Sequence, residues 1–290
     1  MISKSYTFAK RRAAMRSSDV VKTRQDLRRL VWSERANTSG TAGCFLKARE
    51  TTGAETWYYK LSCYDSYRGI YGHECANEVV ASRLMGLLGV PRLEYQLVHA
   101  LVSIDGVEHD TWLNRSRSFR QQGERKIAFD TFYDMEKKPG ESPLELADRF
   151  GWSEAIQHMM IVDYLIANRD RHGANIEVLR DREGAVRLAP LFDSGLSFAC
   201  FCYGDAERVR AFDPLSDVNA NNYLGTRSLE ENIRRFVDVR AVAQLAQPLS
   251  PEHRTVLFRG LDGALPQGHR DKMWDIVWER WCRLENLCHS

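Results

Sequence analysis

Long apolar runs are missing from this sequence. The longest, residues 159–167, is interrupted by Asp163 and falls well short of the roughly 20 residues that a membrane-spanning helix needs. The first residues include bases but no apolar stretch of the kind a secretory signal requires, so a cytoplasmic protein without a membrane partner is expected. Cysteine is scarce and odd in number. Cys44, Cys63, Cys75, Cys200, Cys202, Cys282 and Cys288 show no repeated spacing, which argues against a disulfide-stapled secreted fold. Cys200 and Cys202 form a Cys-x-Cys pair, but no second Cys/His pair stands near to complete a tetrahedral zinc site. The thiols are expected to pack as small hydrophobes. Internal repeats and low-complexity tracts are absent as well.

A strong charge of either sign is also lacking, with 41 Lys/Arg facing 39 Asp/Glu for a net of +2. The balance is uneven along the chain. Residues 1–36 hold ten bases and three acids, net +7, leaving 31 bases and 36 acids, net −5, in residues 37–290. A mildly acidic body with a basic head argues against a surface that binds nucleic acid throughout, and the head has few aromatics (Tyr6, Phe8 and Trp32). What is present is a globular composition, 43% apolar and 28% charged. A chain of 290 residues suits one large domain or two lobes, with a core that needs no staple.

Residues 1–36 read as a basic, helical arm in which Leu27, Leu30 and Val31 give a short apolar face. Small and polar residues then cluster at 37–43 as turn signals do. Residues 44–50 and 56–61 flank Thr52-Gly53 and predict an antiparallel hairpin. Residues 73–88 place Ala76, Val80, Leu84 and Leu87/Leu88 at helical spacing, with stop signals at Gly89 and Pro91. A second hairpin is predicted from 95–104 and 107–113 around Asp105-Gly106. From about residue 125 the periodicity is helical, over 143–150, 153–167, 229–245, 250–261 and 270–287, with Ser250 as an N-cap and Pro251 at the first helical position. The fold class expected is α+β: a basic arm (1–36), a small β-rich N-lobe with one main helix (37–120) and a larger, mostly helical C-lobe (121–290), with a cleft between the lobes.

Chemistry concentrates in residues 163–175 and 188–195, where an apolar helix gives way to a charged loop. Asp170 stands five residues before Asn175, and Asp193-Ser-Gly195 begins eighteen residues after Asn175. Phosphoryl transfer needs a carboxylate to orient the acceptor, hard oxygen ligands for a metal, and a lysine on the phosphates. Asp170 fits the first role, Asn175 and Asp193 the second, and Lys60 on the first hairpin the third. Each has a plain alternative: the Asp/Asn spacing is common, Asp193-Ser-Gly can be an Asx turn, and Lys60 can guard a strand edge. Together, in kinase order and across the lobe boundary, they point to a phosphotransferase using ATP and Mg²⁺. Glu78 is the candidate partner for Lys60 and Glu74, one turn earlier, competes with it; either can be a solvated helix charge. Residues 39–43 are small enough for backbone N–H groups to approach phosphate, or form a plain turn. They lack the Gly-Lys-Ser/Thr of a Walker A loop. His172 has no role from the residues alone. Trp274, Val277, Trp278, Trp281 and Leu284 have the spacing of a packed helix face. Arg208, Arg210, Arg227, Arg234, Arg235 and Arg240 cover surface or receive a phosphoprotein or RNA-bound acceptor.

Asn168-Arg-Asp-Arg-His-Gly-Ala-Asn175 resembles the N-x-D-R-H-x-x-N signature of HipA-like kinases, relatives of the phosphatidylinositol-kinase-like branch of the kinase fold. Trp57-Tyr-Tyr-Lys60 is similar to their nucleotide-lysine strand, and Asn77-Glu78 with the helix to Pro91 to their first-lobe helix. Leu191-Phe-Asp-Ser-Gly195 resembles their metal turn, and Ser116-x-x-Phe119 a segment just past their interlobe connection. The resemblance runs from about residue 38 to 200 and is most specific at the eight-residue signature. It implies a bilobal protein-kinase-like fold and a Ser/Thr protein kinase using ATP and Mg²⁺, with Asp170 as catalytic base and Asn175 and Asp193 on the metal. Lys60, Glu78, His172 and the loop residues Gly40, Thr41 and Gly43 would serve the nucleotide. Autophosphorylation is implied at Ser39 or Thr41. A toxin-type role, the protein acceptor and a small regulatory partner are left open. Two other readings stand beside it: a lipid or small-molecule kinase of the same fold, and a non-catalytic regulator binding nucleotide or nucleic acid. The intact Asp170, Asn175, Asp193 and Lys60 speak against the last.

Overall fold

In the computed structural model of the chain, residues 19–33, 44–53 and 55–289 are described. The N-lobe is built on strands β1 (Val20–Asp26), β2 (Cys44–Thr52), β3 (Glu55–Asp65) and β4 (Gly69–Ile70), helix α1 (Glu74–Leu88), and strands β5 (Tyr95–Ile104) and β6 (Val107–Arg117). They form a six-stranded sheet in the order β1-β5-β6-β3-β2, with β4 on β3. Both expected hairpins form. Asp105 (φ 51°) and Gly106 (φ 81°) make the two-residue turn joining β5 to β6, a conformation that Asp-Gly favours because both central residues need positive φ.

The arm differs from its helical expectation in residues 20–26, which add to the sheet edge by parallel pairing with β5. So short an apolar stretch cannot support a free helix, whereas β5 offers unpaired backbone groups. Leu27 and Leu30 are buried with Leu46, Leu61, Val98 and Leu113 in the sheet's own cluster, but Val31 is 86% exposed and joins no apolar face.

Helix α1 is buried along nearly its whole length. It packs on β3, β5 and β6 and shares one apolar cluster with the C-lobe. Arg83 on α1 donates to both Asp19 carboxylate oxygens and, at 2.7 Å, to the Leu257 carbonyl. Lys22 on β1 pairs with Asp262 at 2.8 Å. The helix stops at Gly89, φ 77°, whose N–H donates to the Met85 carbonyl. A Cβ there would come within 2.7 Å of Ala246 Cβ. Gly89→Ala is expected to lower stability by at least about 1–2 kcal/mol from the left-handed backbone alone, read as a fall in the urea midpoint.

The C-lobe comprises β7 (Arg125–Ala128), α2 (Phe129–Glu136), α3 (Pro143–Arg149), α4 (Ser153–Leu165), β8 (Asp170–Arg171), β9 (Glu177–Arg180), β10 (Val186–Leu188), α5 (Ala206–Ala211), β11 (Asn221–Asn222), α6 (Leu229–Phe236), α7 (Val239–Ala243), α8 (His253–Phe258) and α9 (Gln267–Cys288). Ser142 and Glu145 close a capping box at the start of α3. Helix α4 is the buried centre and contacts α3, α6, α7 and α9. Strands β10, β9 and β7 form a small antiparallel sheet, and β8 pairs with β11 in parallel. Trp274 is buried on α9 and stacks on Trp278 with centroids 5.6 Å apart. Two helical expectations are corrected. The stretch 229–245 breaks between α6 and α7, where the Asp238 side chain accepts the Arg240 N–H as an N-cap. Helix α8 starts only at His253, because the Ser250 N–H donates to His253 Nδ1 and its side chain caps nothing.

Candidate active site

The loop after α4 is held by one buried carboxylate. Asp163 accepts from Arg171 Nε (2.9 Å) and Nη2 (2.8 Å) and from Asn168 Nδ2 (2.8 Å). Arg171 Nη1 then reaches the carbonyls of Asn175 (3.1 Å) and Phe192 (3.0 Å), tying this loop to the Asp193 turn. Two signature residues, Asn168 and Arg171, thus act as scaffold. They leave the Asp170 carboxylate half-exposed, where among the described residues it receives one hydrogen bond, from Asn221 Nδ2 at 3.3 Å. His172 Nε2 stands 3.7 Å from the same carboxylate. Its Nδ1 accepts the Ala174 N–H at 3.2 Å.

Lys60 extends from β3 toward α1. It pairs with Glu78 at 2.8 Å and with Asp193 in a very short contact. Glu74 goes elsewhere, accepting the Cys63 N–H at 3.3 Å, so the choice between the two glutamates is made by β3. Glu78 also accepts the Ser194 N–H at 3.1 Å, and Asn77 Nδ2 donates to the carbonyls of Gly195 (2.9 Å) and Ser197 (3.2 Å). Helix α1 therefore grips the turn as well as the lysine. The fit is close there, since a Cβ on Gly195 would stand 3.2 Å from Glu74 Cβ. Asp193 itself has φ 55°, a backbone conformation that Asp tolerates better than most residues.

Burial disfavours both charges of the pair, but their mutual attraction outweighs it. Asp193 and Glu78 hold the Lys60 ammonium well above its usual range. Lys60, with Lys47 and Arg171, holds the Asp193 carboxyl well below its own. A depressed carboxyl stabilises the fold above its unfolded pKa, and a raised ammonium does so below its unfolded pKa. The pair therefore stays ionised over the whole interval between the ordinary values of 3.8 and 10.5.

Beside this pair lies a pocket of about 270 Å³, lined by Lys47, Ala48, Tyr58, Leu93, Phe119 and Phe192 among others. Phe119 and Phe192 face each other with centroids 5.7 Å apart, and Ser116 lines the same wall. The sequence reading missed Lys47. It sits directly opposite Lys60 in the β2–β3 register, next to an irregularity at Phe45/Lys47, so both side chains share a face. No signal in the sequence alone marks that register. A larger cavity of about 340 Å³ adjoins the first at Phe192 but holds none of Lys60, Asp170 or Asp193.

Among the described residues, no group of three or more His, Cys, Asp or Glu side chains is placed to hold a metal. Two oxygens fit Mg²⁺, which favours few protein ligands and keeps its waters. Asp193 has one carboxylate oxygen on Lys60 and the other left over. Asn175 donates its Nδ2 to the Asp170 carbonyl at 2.9 Å, an orientation that would let its amide oxygen face a metal. Ser39, Gly40, Thr41 and Gly43, the expected phosphate loop, lie outside the described residues and lead into β2.

The strand lysine, the helix glutamate and the Asp/Asn loop sit on a sheet-plus-helix architecture whose fold a solved structure shares. The Helicobacter pylori proinflammatory kinase CtkA is similar over 92% of this chain and 96% of its own, at 14% identity and a TM-score of 0.60. The fold is a kinase fold. It matches the bilobal architecture that the resemblance to HipA-like kinases implies. A Shewanella oneidensis HipA, solved with HipB and operator DNA, is similar over 86% of this chain and 64% of its own, at 16% identity and a TM-score of 0.41. No protein-family model and no curated protein matches the sequence. No helix among the described residues is long and apolar enough to cross a membrane.

Proposed function

We propose that this protein is an ATP- and Mg²⁺-dependent kinase that phosphorylates Ser or Thr hydroxyls of a protein acceptor. The observation that supports it most is the closed set of Lys60, Glu78 and Asp193 beside a nucleotide-sized pocket, with Asp170 presented from the adjoining loop. In this reading Glu78 orients Lys60 toward the α- and β-phosphates, Lys47 adds a second cation on the same strand pair, and the base lies between Phe192 and the β2 wall. Asn175 and Asp193 hold Mg²⁺, which supplies charge neutralisation on the phosphates. Asp170 accepts the proton of the attacking hydroxyl. His172, beside Asp170, stands on the phosphate side, and Ser39 or Thr41 is the autophosphorylation site.

Incubation with γ-labelled ATP and Mg²⁺, with protein acceptors in one vessel and lipid vesicles in another, tests the reading. Label on protein that EDTA abolishes is the expected result. Label confined to lipid transfers the chemistry to a lipid kinase, and label in neither vessel ends the proposal. Phosphopeptide mapping of the labelled chain is expected to find Ser39 or Thr41. Lys47→Ala is expected to raise the KM for ATP about ten-fold, the loss of one charge-assisted hydrogen bond, with kcat nearly unchanged.

A further inference from the structure

Many arginines of the C-lobe are spent on nearby acids. Arg234 and Arg283 share Glu230, Arg235 holds Glu231, Arg240 holds Asp238 and Arg254 holds Asp271. Arg169, Arg208 and Lys272 have no such carboxylate among the described residues. Arg208 Nη2 donates to the Phe201 carbonyl at 2.9 Å and Lys272 Nζ to the Phe212 carbonyl at 2.8 Å. The Arg169 guanidinium lies over the Phe201 ring, 4.8 Å from its centroid, and its Nε is buried with no acceptor. Arg169 and Arg208 meet at Phe201, and Lys272 reaches the carbonyl just past α5, the helix that carries Arg208 and packs on α9, so the three charges gather around one spot. The acid nearest that spot, Asp205, is occupied as the N-cap of α5, accepting the Glu207 and Arg208 N–H groups.

The position of this basic group relative to the chemistry gives it meaning. Arg169 immediately precedes Asp170, its N–H donates to the Leu196 carbonyl, and its own carbonyl takes the Asn221 N–H. The patch therefore borders the segment that follows the Asp193 turn, on one flank of the Asp170 carboxylate. On another side Asp130 packs against Gly173. The two flanks are of opposite sign.

We propose that Arg169, Arg208 and Lys272 dock the acceptor, and that the acceptor is a protein segment carrying Asp or Glu on one side of its Ser or Thr. The proposal rests on the kinase reading. Guanidinium groups match carboxylates in shape and charge, and a basic group that starts at the residue before Asp170 and has no carboxylate of its own among the described residues has an acidic segment as its complement.

The test uses the full chain, a Ser peptide flanked by Glu on its N-terminal or C-terminal side, and the same peptide with Gln. One Glu peptide is expected to exceed the Gln peptide in kcat/KM by roughly ten-fold, the size that three individually weak exposed ion pairs give together. Arg208→Glu, and independently Lys272→Glu, is expected to bring that ratio close to one, with ATP affinity retained as the sign of an intact fold. Equal kcat/KM for Glu and Gln peptides overturns the docking site while leaving the kinase reading in place. An unchanged ratio in both variants overturns it as well. Fluorescence anisotropy of labelled peptide without nucleotide separates the two failures: Arg208-dependent binding of the Glu peptide with no transfer to it supports the docking site and counts against the kinase. Displacement of that peptide by a tenfold lower concentration of single-stranded RNA assigns the patch to nucleic acid and overturns the proposal.

Discussion

Asp170→Ala is expected to lower the proposed phosphoryl transfer by about three orders of magnitude, within the range that a positioned general base contributes, and to leave nucleotide affinity where it was. The separation follows from the way the loop is built. The Asp170 side chain is 28% exposed and its carboxylate receives one weak bond from Asn221. Neither the Asp163–Arg171 anchor nor the Lys60–Glu78–Asp193 group touches it. The peptide bonds of β8 and β11, rather than this side chain, carry the local pairing. Rates from single-turnover transfer and affinities for a non-hydrolysable nucleotide check the two halves together. A parallel loss of nucleotide affinity would instead make Asp170 a residue that holds the nucleotide. Thermal unfolding of the variant should shift by no more than a surface substitution does.

Asp163→Ala acts at the other end of the same loop and is expected to cost about 3–5 kcal/mol of folding stability, the usual result of stranding one member of a buried ion pair. Arg171 is 1% exposed and Asp163 equally buried, so water cannot replace the missing partner. The double replacement Asp163→Leu with Arg171→Met should restore most of the urea midpoint, because an apolar pair of similar volume removes both desolvation penalties. Activity should not return with it. The carbonyls of Asn175 and Phe192 lose their shared donor, and the two loops that carry Asn175 and Asp193 lose the strut between them. Recovered stability with recovered rate would show the strut to be dispensable.

Lys60, Asp170, Asn175 and Asp193 could be singled out as candidates because phosphoryl transfer demands particular residue types in a particular order, and each sits close to a local pattern that declares strand, loop or turn. The end of α1 and the β5–β6 turn were legible for the same reason, through Gly89 and Asp105-Gly106. What could not be read depends on partners distant in the chain. Residues 20–26 are too polar to announce a strand, and they become one because β5 lies open beside them. Glu74 and Glu78 occupy one helix face, and only the Cys63 N–H tells them apart. Lys47 faces Lys60 through a register that an irregular strand pair sets. Arg169 is set beside Arg208 by a segment that runs from the Asp193 turn back past the catalytic loop.

The bond of Arg83 to the Leu257 carbonyl, with the apolar cluster that α1 shares with the C-lobe, makes that helix mechanically part of the larger body. Swinging it outward would strip a buried guanidinium of that carbonyl and expose a fully apolar flank at once. Withdrawal of Glu78 from Lys60 by an outward swing of α1 therefore carries the cost of undoing that anchorage. Glu78 is thus held at Lys60 by a helix anchored in the larger body as well as on the sheet.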